Sequence, residues 1–148
     1  LLLVFVVGGT VLALVVAAGG SGTTDTRPGL FTAGTVDGFE INQPVHFADQ
    51  QFWLVRRSET EFLALYRKDP NDACTVPWRS DFDSMGWKGW FRNPCHAQTY
   101  DVAGRCFSGP CDRGLDRFPV RVVNGEVVVD TTQLIPGPAL GPEYQSGN

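Results

Sequence analysis

Residues 92–111, RNPCHAQTYDVAGRCFSGPC, hold Cys95, His96, Cys106 and Cys111, which are three of the four cysteines and one of the two histidines of a 148-residue chain. The fourth cysteine is Cys74. Thiols and imidazoles at close spacing are metal-ligand chemistry, and zinc is the first ion to weigh. Structural zinc is held by ligand pairs about two to five residues apart, and adjacent Cys95 and His96 cannot easily both reach one tetrahedral ion. Nucleophilic chemistry has less support, since no G-x-S-x-G elbow occurs and cysteines in this number suit pairing better than reactivity. Asp72, Asp81 and Asp83 suggest a calcium loop, but RSDFDSMG lacks the closing bidentate Glu, so a carboxylate-rich turn is the reading adopted. A single His in a turn usually serves as a hydrogen-bonding side chain, which is the role expected of His96; His46, opening a strand, reads as structural. No metal and no catalytic residue is assigned on this basis.

Trp78, Trp87, Trp90 and Phe91 put four large rings into fourteen positions between the cysteines. Some must pack the core. Together they exceed what a small barrel's interior holds, so they are expected to form a patch facing a partner protein.

The elements that position these residues follow from pattern. Residues 1–18 carry no charge and one polar residue, Thr10, and as a helix they approach the thickness of a hydrocarbon core. The run is too long for a signal peptide and too apolar for a buried soluble helix. It is read as a single transmembrane anchor in the lipid bilayer. The chain opens at Leu1 rather than Met, so a preceding segment is expected. Residues 19–37 read as a flexible Gly-rich hinge, residues 38–135 as one globular head and residues 136–148 as a Pro/Gly-rich tail, disordered or laid along a partner. Within the head, 46–57 reads as a strand and 61–67 as its hairpin partner. Residues 117–130 form two alternating runs around Asn124-Gly125, the strongest short hairpin signal. Residues 68–116 read as a long excursion carrying the cysteines, and no internal repeat is evident. The head is therefore all-β, a small antiparallel sandwich or barrel. With net charge −4 and scattered basic residues, nucleic-acid binding is excluded. Four cysteines behind an anchor point to an oxidising compartment and to disulfides, of which three pairings are possible.

Residues 38–130 resemble the Rieske iron–sulfur domain. ACTVPW (73–78) resembles the end of that family's first cluster loop, C-T-H-L-G-C-x-x-P-W. NPCHAQTYDVAGRCFSGPC resembles its second loop, C-P-C-H-G-S-x-[FY]-[DN], running into a G-P-A proline loop. The family holds [2Fe–2S] with two cysteines on one iron and two histidines on the other. Aligned through Pro77-Trp78, the ligand positions become Asp69, Asn71, Asn93 and His96, so His96 alone matches. In the other register Cys74 becomes a ligand with Val76 in place of its histidine, and two of four remain. Either way the resemblance implies the fold without the centre.

It also implies Cys74–Cys95 as the bond joining the two loops, with Cys106–Cys111 closing CFSGPC. On the chain-entropy model these stabilise by roughly 3 and 2 kcal/mol. The expectation for function is a membrane-anchored, cluster-less, non-enzymatic accessory subunit of a respiratory or photosynthetic electron-transfer complex. Its head would lie on the periplasmic or extracytoplasmic side, its partners being integral membrane subunits. The alternatives are an active [2Fe–2S] carrier with atypical ligands and a free-standing tethered binding module.

Overall fold

A computed structural model describes residues 29–145 of the chain, and the expected anchor at 1–18 lies outside them. Among the described residues no helix is long and apolar enough to cross a membrane. The architecture is all-β with antiparallel sheets, as expected. Its strands are β1 Leu30–Thr35, β2 Val45–Phe47, β3 Phe52–Arg56, β4 Phe62–Tyr66, β5 Trp78–Ser84, β6 Trp87–Arg92, β7 Thr99–Tyr100, β8 Cys106–Ser108, β9 Arg117–Phe118, β10 Val120–Val123 and β11 Glu126–Asp130. They form three sheets, ordered β1-β11-β10, β2-β3-β4-β9 and β5-β6-β7-β8.

The second sheet is the middle layer. FWLVR of β3 and FLALY of β4 are near-continuous apolar runs, the pattern of strands covered on both faces. Phe52, Leu54, Phe62 and Ala64 enter a core shared with Val127 and Val129 of β11. Val55 and Leu65 enter a second core with Val76, Phe91, Tyr100 and Leu115. The β10–β11 hairpin turns where its sequence says it should, with Asn124 and Gly125 both at positive φ, 50° and 79°.

Four expectations need correction. The hinge cannot extend to residue 37, because β1 pairs with β11 along Leu30–Thr35 and fills the sheet's edge. The single strand read at 46–57 is a hairpin, β2 paired with β3 through a turn in which Gln51 takes φ 62°. The segment 68–116 is more than an excursion, since β5–β8 make a sheet of their own across its centre. Finally, the tail is ordered against its own head as far as Gln145. Arg117 and Ile135 exchange backbone hydrogen bonds of 2.9 and 2.8 Å, and Gln145 N donates to Phe107 O at 2.7 Å. Gly137 permits this contact, because a Cβ there would lie 2.0 Å from Gly114 O.

Candidate functional site

Two six-residue loops meet at one end of the second core. DPNDAC (69–74) connects β4 towards β5, and NPCHAQ (93–98) connects β6 to β7. Their backbones close in the same way. Asp69 N donates to Cys74 O at 2.8 Å and Ala73 N to Asp69 O at 2.9 Å; Asn93 N donates to Gln98 O at 2.9 Å and Ala97 N to Asn93 O at 3.0 Å. In each loop the leading side chain caps the amide two residues on, Asp69 Oδ1 accepting from Asn71 N at 2.8 Å and Asn93 Oδ1 from Cys95 N at 2.7 Å. Asx-Pro starts such turns because the Asx side chain accepts that bond while proline fixes φ. The fifth residue of each is an alanine at positive φ, Ala73 at 59° and Ala97 at 63°. The chain therefore does contain a short repeat, [DN]-P-x-x-A, hidden by its divergent third and fourth positions.

Equivalent residues of the twin loops face each other. Asn93 Nδ2 donates to Asp69 Oδ2 at 2.8 Å, joining the two leading positions. His96 Nδ1 lies 2.6 Å from Asp72 Oδ2, joining the two fourth positions. The same Asn93 amide also reaches Asp72 Oδ2 at 2.9 Å, and the Tyr100 hydroxyl donates to Asp69 Oδ2 at 2.6 Å. Cys74 and Cys95 are bonded across the loops, and Cys106 is bonded to Cys111, so none of the four is a free thiol. Asn71 ties in the proline loop, its Oδ1 accepting from Asp112 N at 3.2 Å. The alternative register has no support here, because Cys74 is consumed in the disulfide and Val76 is fully buried in the second core.

The electrostatics are those of two carboxyl groups held without a Lys or Arg partner. Asp69 is 2 % exposed and Asn93 fully buried, and among the described residues no Lys or Arg pairs with Asp69 or Asp72. Burial works to raise the Asp72 pKa, but the Cys74 N–H, then His96 and the Asn93 amide hold it below its ordinary value. An ionised Asp72 can only accept, so His96 Nδ1 carries the shared proton. Burial first, then the hydrogen bond to Asp69 and the charges of Asp69 and Asp72, raise Tyr100 far above the usual phenol range.

The expected aromatic patch divides. Phe91 is fully buried against Trp53 and Trp78, and Trp90 is 4 % exposed against Phe107, so these two are core residues and not a partner surface. Trp87 is 73 % exposed and Trp78 half-buried, and with one edge of Trp90 they line a groove of about 670 Å³. Of the acidic trio, Asp81 pairs with Arg79 and Asp72 with His96; among the described residues no group of three acidic, His or Cys side chains is placed to hold a metal ion. His46 stacks on Trp53 with ring centroids 4.2 Å apart, a packing role. Sequence reasoning missed Tyr100, although it occupies the aromatic position of the quoted loop pattern. It also missed the pairing of Asp72 with His96, which the loop repeat encodes.

No family model and no curated protein matches the chain. Solved structures similar to it include the carbazole-bound oxygenase and ferredoxin complex of carbazole 1,9a-dioxygenase, at TM-score 0.49 and 13 % identity, covering 71 % of this chain and 29 % of that one. Apo dicamba monooxygenase follows at TM-score 0.44 and 18 % identity, over 69 % of this chain and 33 % of that one. The cyanobacterial plasma membrane Rieske protein PetC3 from Synechocystis PCC 6803 matches at TM-score 0.42 and 15 % identity, over 67 % of this chain and 97 % of that one. The chain thus spans about a third or less of the two oxygenase chains.

Proposed function

We propose that the head is a Rieske-type domain whose cluster site is filled by its own side chains. On this reading the protein serves as a membrane-anchored, non-catalytic accessory subunit of a respiratory or photosynthetic electron-transfer complex. The observation that carries this is the direct hydrogen bond between Asp69 and Asn93, the two positions where the family's thiolates would stand. Iron–sulfur clusters require soft, charged sulfur, and here a carboxylate and a neutral amide close on each other with no free thiol nearby. Asn71 spends its side chain on Asp69 and Asp112, and His96 spends Nδ1 on Asp72. The donor set does not fit a [2Fe–2S] cluster, and no electron-transfer step is derived through one. The apolar run at 1–18 supports the anchor, and the disulfides support an extracytoplasmic head.

Anaerobically purified full-length protein should be colourless, with no stoichiometric iron or acid-labile sulfide, and should co-migrate with larger membrane proteins after mild detergent solubilisation. Two irons and two sulfides per chain would overturn the cluster-less reading. Migration as a lone monomer would overturn the accessory role and leave a tethered binding module, a reading the tryptophan groove also favours.

A further inference from the structure

We infer that Cys74–Cys95 is a redox-active disulfide, reversibly reduced by a dithiol where the twin loops meet. This thiol-exchange activity is separate from the accessory role and rests on the disulfide and its loops alone. The two disulfides of the head stand in opposite surroundings. Cys106 and Cys111 are 2 % and 6 % exposed and lie inside the second core. The tail closes over their loop, Gln145 N donating to Phe107 O and the Tyr144 hydroxyl to Gly109 O, both at 2.7 Å. Cys95, by contrast, is exposed and Cys74 half-buried, on a rim where Pro94, His96 and Ala97 are exposed as well. Exchange requires a thiolate to reach a sulfur of the disulfide, so access selects Cys74–Cys95.

A reversible couple also needs its two sulfurs to stay close once the bond is broken. Each loop keeps its own shape, since the bonds from Asp69 N to Cys74 O and from Asn93 N to Gln98 O close it without the disulfide. Side chains then hold one loop against the other. Asn93 Nδ2 donates to Asp69 Oδ2 at 2.8 Å and to Asp72 Oδ2 at 2.9 Å, and His96 Nδ1 donates to Asp72 Oδ2 at 2.6 Å. Asp72 lies two residues before Cys74 and His96 adjoins Cys95, so these two positioning residues bracket the bond. The first core contains no cysteine and keeps the rest of the head folded. Reduction therefore leaves two thiols facing each other at high effective concentration, the condition for re-forming the same pair. In the exchange a thiolate of the dithiol attacks Cys95 Sγ; the Sγ–Sγ bond breaks, and Cys74 Sγ leaves with the electron pair and takes up a proton. The second thiol of the reductant then attacks the reductant's own sulfur in the mixed disulfide, and Cys95 Sγ leaves and is protonated in turn. Two electrons and two protons pass to the protein, and the dithiol becomes a disulfide.

The test treats detergent-solubilised full-length protein with dithiothreitol, traps thiols with a maleimide at intervals and maps the labelled peptides by mass spectrometry. Cys74 and Cys95 should be labelled together, faster than Cys106 and Cys111 by about ten-fold or more, while near-ultraviolet dichroism shows the head still folded. Transfer into oxidised glutathione should restore the Cys74–Cys95 pair alone. His96→Ala, made at an exposed side chain, should keep the fold and re-form the bond more slowly by about three-fold or more. Labelling of all four cysteines at one rate, labelling only after the head unfolds, or re-oxidation into other pairs overturns the inference. So does a His96→Ala protein that re-forms the bond at the parental rate. The iron and sulfide content of the same sample tests the cluster-less reading separately, so either can fail without the other.

Discussion

The two cores on either side of the middle sheet are stabilised by different means. The first, between β3–β4 and β11, is all hydrocarbon and aromatic ring. Phe52 sits at its centre, stacked on Phe47 at 5.1 Å and edge-on to Phe31 and Phe118 at 5.9 and 6.2 Å. The second core contains the Cys106–Cys111 disulfide, has Cys74–Cys95 at its margin and borders the buried polar residues Asp69, Asn93, Gln98 and Thr99. Long two-sided strands supply enough apolar surface to close the first. The second is capped by short loops that have little to bury, and such loops are fixed by covalent bonds and by a hydrogen-bond network. Stability on one side is spread over area; on the other it is concentrated in a few bonds.

The largest expected effect breaks this contrast open. Phe52→Ala should cost about 3–5 kcal/mol by guanidinium unfolding, because it leaves a cavity among rings that cannot collapse onto it. Cys74→Ser/Cys95→Ser should cost roughly 3 kcal/mol on the chain-entropy model. The two should differ in place as well as size. Hydrogen exchange in the Phe52 variant should rise in both cores, but in the cysteine variant first in residues 69–76 and 93–98. Equal, global exchange in both variants would remove the distinction between the cores.

Much of the first core was legible in the sequence, because its signals are local. The β10–β11 turn needs positive φ twice, and Asn-Gly says so. The β2–β3 turn was missed because it contains neither Gly nor Pro, and Gln51 takes the left-handed conformation on tertiary grounds. The sheet β5–β8 was missed because its β5 reads WRSDFDS, with five polar positions, and β7 and β8 are too short for any period to register. The site was half legible. Asp69, Asn93 and His96 were located by resemblance, yet their mutual contacts depend on a loop repeat whose shared letters are only Pro and Ala. The tail escaped for a different reason. Its hold on the head combines backbone bonds, such as Gly114 N to Pro138 O, with scattered side-chain ones, Gly137 N to Asp116, the Tyr144 hydroxyl to Gly109 O and Glu143 to Arg105, and no local period records them.

The charged half should also respond to pH where the apolar half does not. Asp72 has a folded pKa held below its ordinary 3.8, so the stability it contributes is present above that value and is lost as pH falls through the lower folded value. Tyr100 has a folded pKa raised above its ordinary 10.0, so its contribution is present below pH 10 and is lost as pH rises beyond it. Thermal melts should therefore fall at both extremes. A smaller loss should appear as pH drops below 6.5, where burial and the Arg67 charge keep the folded His46 from taking up the proton that the unfolded chain accepts. Tyr100→Phe should remove the alkaline fall while leaving the acid one. An alkaline fall that persists in Tyr100→Phe would assign it elsewhere.

The smallest effect is a gain, and it probes how the twin loops came to be bonded as they are. Ala73 and Ala97 sit at φ 59° and 63°, a conformation that costs an L-residue about 1–2 kcal/mol and glycine almost nothing. In the loop pattern that this chain resembles, both positions are glycine. Glycine recovers that strain but loses roughly 0.5–1 kcal/mol through the freedom it gives the unfolded chain. Ala73→Gly and Ala97→Gly should therefore each stabilise the head by about 0.5–1 kcal/mol, read as a higher guanidinium midpoint at unchanged slope. The first core offers no such reserve, since among the described residues its buried members all have ordinary backbone angles. A lower midpoint in both variants would mean that the loops do not hold the left-handed turn, and that the Asp69–Asn93 and Asp72–His96 pairs are not fixed by it. A higher midpoint would locate unused stability in the half of the molecule that depends on the fewest bonds.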